Sequence, residues 1–230
     1  MSTPTLKGIS SMATRQVLAD LVEAWQAQGG QPVQIESVGG VDAARRVAEG
    51  EPFDFVVLAE GAIASLCQGG AAQPHSALPL ARSGMAACVP KGSACPAFAS
   101  EADVKAAVQH LHPIAYSTGP SGVALLDLFD RWGLLGPLLP HVVQARPGLP
   151  VARLVAQGQA ALGFQQLSEL MDVEGIEILG ALPEAIQVTT VFSAAVCTHA
   201  SQADAAQAFI RFLASPATAH AKHLRGLAPA

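Results

Sequence analysis

Tyr116-Ser117-Thr118-Gly119-Pro120-Ser121-Gly122 is the stretch on which the reading of this chain turns. The apolar run Pro113-Ile114-Ala115-Tyr116 leads into it as a buried strand would. Val123 to Trp132 leaves it with the spacing of an amphipathic helix, and Gly133 is placed to stop that helix. A strand, a Ser/Thr/Gly turn and a helix leave unpaired backbone N–H groups at the first helical turn, beside hydroxyls and glycines. The helix dipole adds to those donors, so such a start favours negative charge. Thr118 or Ser121 acting as a plain N-cap is the simpler reading of the same turn. An anion site needs several such turns facing one another.

The rhythm extends outward in both directions. Toward the N-terminus, Leu6 to Ile9 reads as a strand, followed by a helical pattern that places Leu18, Leu21, Val22 and Trp25 on one face. A strand over Pro32 to Ser37, a Gly39-Gly40 turn and a short helix over Asp42 to Glu49 follow. Phe53 to Ala59 is a continuous apolar run, which fits a parallel strand covered on both faces, and Ala62 to Gln68 is the next helix. Ser100 with Asp103 forms a capping pattern for a helix running toward His110. Beyond the central turn, strands over His141 to Ala145, Ala161 to Gln165 and Ile176 to Leu179 alternate with helices over Val151 to Gln157 and Leu167 to Met171. Ala203 to Leu213 is a closing helix, and Ala217 to Arg225 a last one after Pro216.

Such alternation predicts an α/β fold with mostly parallel sheets flanked by helices. Two long extended stretches, Leu78 to Val89 and Gln187 to Thr198, suit strands that cross between two lobes. The expected division is residues 1–82 with 190–230 as a discontinuous first lobe, and 83–189 as the second.

Composition narrows the function classes. Half of the 230 residues are hydrophobic, enough for a substantial core, and a net charge of −5 without a Lys/Arg run excludes a general nucleic-acid partner. That charge leaves a small anionic ligand open, because such a ligand responds to local donors. Met1 to Lys7 lacks a basic segment followed by an apolar one, and no apolar run suits a membrane span. The expectation is a cytoplasmic chain as the sequence stands, or a periplasmic one if a leader has been removed. Cys67, Cys88, Cys95 and Cys197 lack metal spacing, and His75, His112 and His141 have no partner pattern. No P-loop or Ser-His-Asp constellation is present, and neither a cofactor nor a metal is expected.

Ligands of open α/β sheets bind beyond the carboxyl ends of the strands. Ser10-Ser11, Gly39-Gly40, Ser117 to Ser121 and Gln165-Gln166 occupy such positions, and Glu60 a fifth. Facing one another, their hydroxyls, amides and helix-start N–H groups would hold a small oxyanion or carboxylate without a full countercharge.

The Ser-Ser helix start, the Asp54 to Glu60 strand, Gly119-Pro120-Ser121-Gly122 before a helix ending Arg131-Trp132-Gly133, and Leu162-Gly163-Phe164-Gln165-Gln166 occur in a telling order. Over nearly its whole length the chain resembles the molybdate-binding-protein group of type II periplasmic solute-binding proteins. The resemblance implies two lobes joined by crossing strands, a ligand held in the cleft, and a membrane transporter as partner of a secreted form. By position, Ser11 is similar to the group's first serine, and Gly39 or Gly40 stands near its second. Pro120 or Ser121 and Val151 fall near its backbone donors, and Gln166 sits where molybdate binders place a tyrosine hydroxyl. Ser37-Val38-Gly39-Gly40 and that glutamine depart from a molybdate cage.

The group also includes chains assigned as isomerases, among them aconitate isomerase, which moves a double bond within a tricarboxylate. The expected function is therefore binding of a small anion, an organic di- or tricarboxylate before molybdate. Ser10, Ser11, Gly39, Gly40, Thr118, Gly119, Ser121, Val151, Gln165 and Gln166 are the candidate ligand-binding residues. Arg146, and less so Arg15, would clamp a carboxylate. The alternative is an isomerase on the same scaffold with Glu60 as the proton shuttle, although Glu60 also fits as a helix-capping residue.

Overall fold

The computed structural model describes residues 4–146 and 148–230. The elements in chain order are β1 (Leu6–Ser11), α1 (Arg15–Ala27), β2 (Val33–Val38), α2 (Gly40–Ala48), β3 (Phe55–Ala59), α3 (Glu60–Gln68) and β4 (Leu78–Pro90). They continue as α4 (Glu101–His110), β5 (Ile114–Tyr116), α5 (Pro120–Arg131), α6 (Leu135–Leu138), β6 (Val142–Gln144), α7 (Val151–Ala156), β7 (Leu162–Gln166), α8 (Leu167–Leu170) and β8 (Ile176–Ala181). β9 (Thr189–Val196), α9 (Ala203–Ala214), α10 (Ala219–Leu224) and β10 (Ala228–Pro229) complete the chain. Two compact units result: one runs to Arg82 and resumes at Val191, and the other is Ser83–Thr190. The chain passes between them twice, within β4 and within β9.

In the first unit β1 pairs parallel with β2 and β3, and β9 runs antiparallel beside β3. Successive residues of β3 point to opposite faces, and both faces are buried. Phe55 and Val57 join Leu6, Phe209 and Leu213 in one core, while Val56 and Leu58 join Ile9, Val47 and Ile63 in another. Two-sided burial is why this strand reads as an unbroken apolar run. In the second unit β5 lies parallel between β6 and β7, and β4 pairs antiparallel with β7 and β8. One face carries Met85, Ile114 and Phe164 against Val104, Leu125 and Phe129, and the other carries Ala86 and Ala115 against Val151 and Val155.

The helix ends follow local chemistry. Ser100 and Asp103 form the reciprocal capping box at the start of α4. Gly133 takes a φ of +67° just past α5, which lets its N–H reach Asp130 O and the Leu134 N–H reach Phe129 O. At the other end of α5 the expected side-chain cap is not made. Gly119 is the N-cap, no side chain bonds there, and Pro120 is the first helical residue. α6 and β10 lie outside the elements that periodicity predicts, because each is too short to carry a periodic signal.

Asp54 ties the first unit together from a position 3% exposed. One carboxylate oxygen accepts the Lys7 N–H at 2.9 Å; the other accepts Ser201 N–H at 2.9 Å, Ser201 Oγ–H at 3.0 Å and Gln202 N–H at 3.1 Å. The start of β3 is thus bonded to β1 and to the entry of α9. Charge-assisted bonds of this kind are about twice as strong as neutral ones. Asp54→Ala leaves three backbone donors without their acceptor and is expected to cost about 3 kcal/mol. Urea unfolding checks this; a loss below ~1 kcal/mol would remove Asp54 from this role.

Candidate functional site

In the first unit, the carboxyl ends of β1, β2 and β3 lie side by side and each gives way to a helical turn. Ser10 is fully buried opposite Ser37 in the β1–β2 register, and their hydroxyls are 2.8 Å apart. A hydroxyl has one hydrogen and two acceptor lone pairs, so such a pair consumes one hydrogen and leaves one to donate. Ser11 is 8% exposed, and its Oγ has no partner among the described residues. It stands at the entry of the short helical turn Met12–Thr14 without making a side-chain cap. A buried hydroxyl left in that state costs roughly 1–3 kcal/mol unless a ligand or water satisfies it. Gly39 is the N-cap of α2, and a Cβ placed on Gly40 would lie 3.6 Å from the Ser11 Cβ. The first turn of α2 therefore approaches Ser11. Glu60 opens α3 at the end of β3 and is exposed.

In the second unit the turn after β5 holds a second hydroxyl pair, Ser117 Oγ and Ser121 Oγ, 3.0 Å apart. Ser121 is 5% exposed, while Thr118 and Gly119 are partly buried. Gly122 is required here: a Cβ on it would fall 1.9 Å from the Ser117 carbonyl oxygen. The Val151 N–H, a candidate donor at the start of α7, is taken by Gln165 Oε1 at 2.9 Å. Gln166 donates from Nε2 to Thr190 Oγ1 at 2.7 Å, and its Oε1 has no partner among the described residues. Arg146, just beyond β6, is exposed, and so is Arg15. Both stand apart from the buried polar groups at these strand ends, which are neutral.

Among the described residues no cluster of His, Cys, Asp and Glu is suited to a metal ion. His112 and His141 stack on each other with ring centroids 4.5 Å apart.

A sequence profile described as bacterial extracellular solute-binding protein matches residues 6–227. The chain belongs to that family. A curated relative, the aconitate isomerase of a Pseudomonas species, is 33% identical over 98% of this chain and 88% of its own length. Among solved structures, the periplasmic molybdate-binding protein of Azotobacter vinelandii superposes with a TM-score of 0.80 at 22% identity, over 96% of this chain and 98% of that one. The sulfate-binding protein of Mycobacterium tuberculosis H37Rv gives 0.79 at 18% identity, over 99% and 87%. The fold of this solute-binding protein is thus the type II periplasmic-binding-protein fold.

One ionisable group in this solute-binding protein escaped the sequence reading. Glu169 is partly buried in α8. Burial pushes its carboxyl up to about 7, against the pull of a hydrogen bond from Gln165. Gln165 thus connects the start of α7 with α8. The available signal was spacing: Gln165 and Glu169 stand four residues apart across the strand-to-helix junction. With a folded-state value above the ordinary 4.5, the folded chain holds the Glu169 proton more tightly than the unfolded chain. Stability from this group is therefore greatest below pH 4.5 and declines as pH rises through about 7, then stays level. Glu169→Gln is expected to stabilise the protein by up to ~3 kcal/mol at pH 8 and to do little at pH 5. Thermal melts at the two pH values measure it; equal shifts at both would contradict the assignment.

Proposed function

We propose that this solute-binding protein takes a small organic di- or tricarboxylate, in preference to molybdate, through neutral polar groups at its strand-end turns. The carrying observation is the buried, unpartnered Ser11 hydroxyl at a helix entry. Beside it the Ser10–Ser37 pair retains one hydrogen to donate, as does Ser117–Ser121 in the second unit. Ser10, Ser11, Gly39, Gly40, Thr118, Gly119, Ser121 and Gln166 form the proposed binding set, with Arg146 as an outer clamp. Val151 and Gln165 act as its internal brace, because each is already committed to the other. Gln166 is an amide where the resemblance places the tyrosine of molybdate binders, and the Pseudomonas relative is named for a tricarboxylate. Both points support the organic ligand. The family description supports an exported location, and a membrane transporter is then the partner class.

A mutant pair tests the assignment with cis- and trans-aconitate, citrate and molybdate as probes. Removing one ligand-facing hydroxyl typically costs about 1 kcal/mol, or roughly fivefold to tenfold in Kd. Ser11→Ala and Ser121→Ala should each weaken the same ligand by about that factor, in calorimetric titrations. Unchanged affinity in the double variant would sink this site.

A second reading is supported by the Pseudomonas relative alone: isomerisation of an unsaturated tricarboxylate on the same scaffold. A base removes a proton from the carbon next to a carboxylate, and the electron pair delocalises into that carboxylate as an enediolate-like species. The proton returns at the other end of the allylic system, so the double bond moves and nothing is oxidised or reduced. Ser hydroxyls and helix-start N–H donors would stabilise the enediolate-like charge. Glu60 is the proposed base; it lies at the same strand-end edge as Ser11 and is exposed for exchange. Proton NMR of both aconitates in deuterated water should show interconversion with deuterium uptake, lost at least a hundredfold in Glu60→Gln. Full turnover in that variant would take Glu60 out of the role.

A further inference from the structure

The second unit holds an acceptor where an anion site wants donors. Gln166 is 3% exposed, its amide anchored by the 2.7 Å bond to Thr190 Oγ1, and its Oε1 is unpartnered among the described residues. In the antiparallel β4–β7 register Gln166 stands opposite Met85. Ser83 lies two residues before Met85 on β4, so strand alternation gives it the same facing as Met85. Ser83 is 1% exposed, and its Oγ is unpartnered too. The second unit thus holds two buried orphan groups, a carbonyl oxygen at the end of β7 and a hydroxyl two residues before its β4 partner.

An ionised carboxylate or a tetrahedral oxyanion offers acceptors only, and would meet the Gln166 oxygen lone pair against lone pair. A hydroxyl is different: it donates to the Gln166 oxygen and accepts from the Ser83 hydroxyl. We propose that Gln166, fixed by Thr190 and accompanied by Ser83, is a subsite for an uncharged hydroxyl of the ligand. This solute-binding protein then selects hydroxylated di- and tricarboxylates over the same acids without the hydroxyl. The inference rests on the carboxylate reading above and adds to it the class of acid.

Titration calorimetry on matched probes tests it: malate against succinate, and citrate against propane-1,2,3-tricarboxylate. The hydroxylated member of each pair should bind about tenfold more tightly, the value of one well-made hydrogen bond in a buried site. Gln166→Met keeps the shape and removes the acceptor; Thr190→Val keeps the shape and frees the amide to turn. Either variant should shrink the ratio within a pair toward one. Because both members are measured on the same variant, a general loss of stability leaves the ratio interpretable. If Gln166→Met does not fold, Thr190→Val carries the test alone. Equal affinities within the pairs, or tighter binding of the unhydroxylated acids, would overturn the subsite; the amide would then present Nε2 to a carboxylate and its oxygen to the Thr190 hydroxyl. If no carboxylate binds at all, aconitates included, the organic-ligand reading itself fails and takes this inference with it.

Discussion

A strand buried on both faces within a parallel sheet can be followed only by a crossover, and in this chain nearly every crossover begins with a helical turn. That constraint organises both units. It stacks β1, β2 and β3 so that Ser11, Gly39 and Glu60 emerge at one edge, and it does the same for Tyr116 and Gln144 in the second unit. Backbone donors freed at each helix start are a by-product of the architecture rather than an addition to it. The opposite edge of the first sheet is used differently. There Asp54 gathers the start of β3, the start of β1 and the entry of α9 around one carboxylate. The charged anchor thus sits at one rim and the buried hydroxyls of Ser10 and Ser11 at the other.

The buried polar groups at the carboxyl-end edge, Ser10 and Ser11, are uncharged. Positive side chains are engaged elsewhere: Arg46 bridges Glu36 and Glu51 on the surface, and Arg225 bonds Asp20. A fixed cation would bind any anion of suitable size. Hydroxyls and amides discriminate by where each hydrogen and each lone pair points, because a mismatched partner leaves a buried group unpaired. One scaffold can thereby carry proteins named for molybdate and for sulfate, through changes in a few side chains.

Most of the fold was legible in the sequence because its signals were long or chemically specific. The β3 run, the thirteen-residue β4 and the Ser100/Asp103 box each stand on their own. What escaped was short or depended on register. β1 reaches Ser11 rather than stopping at Ile9, and only this extension brings Ser10 opposite Ser37. A pairing twenty-seven residues apart in the chain leaves no trace in local periodicity. Gln165 was visible as a strand-end amide, but its capture of the Val151 N–H follows from how α7 packs on β7. The raised affinity of Glu169 for its proton is likewise a property of surroundings, and a lone glutamate in a short apolar helix does not announce it.

The two passages of the chain between units have a consequence for biosynthesis. The second unit is an uninterrupted stretch, so its strands β5 to β8 are synthesised before β9. The first unit cannot finish at that time. Its core around Leu6, Phe55 and Val57 is capped by Phe192, Val196, Phe209 and Leu213, which are made last. During synthesis the nascent β1–β3 layer therefore presents an apolar face and an open β3 edge while the inserted unit folds. The first unit to begin is the last to close, and that interval is when the chain is most in need of a chaperone.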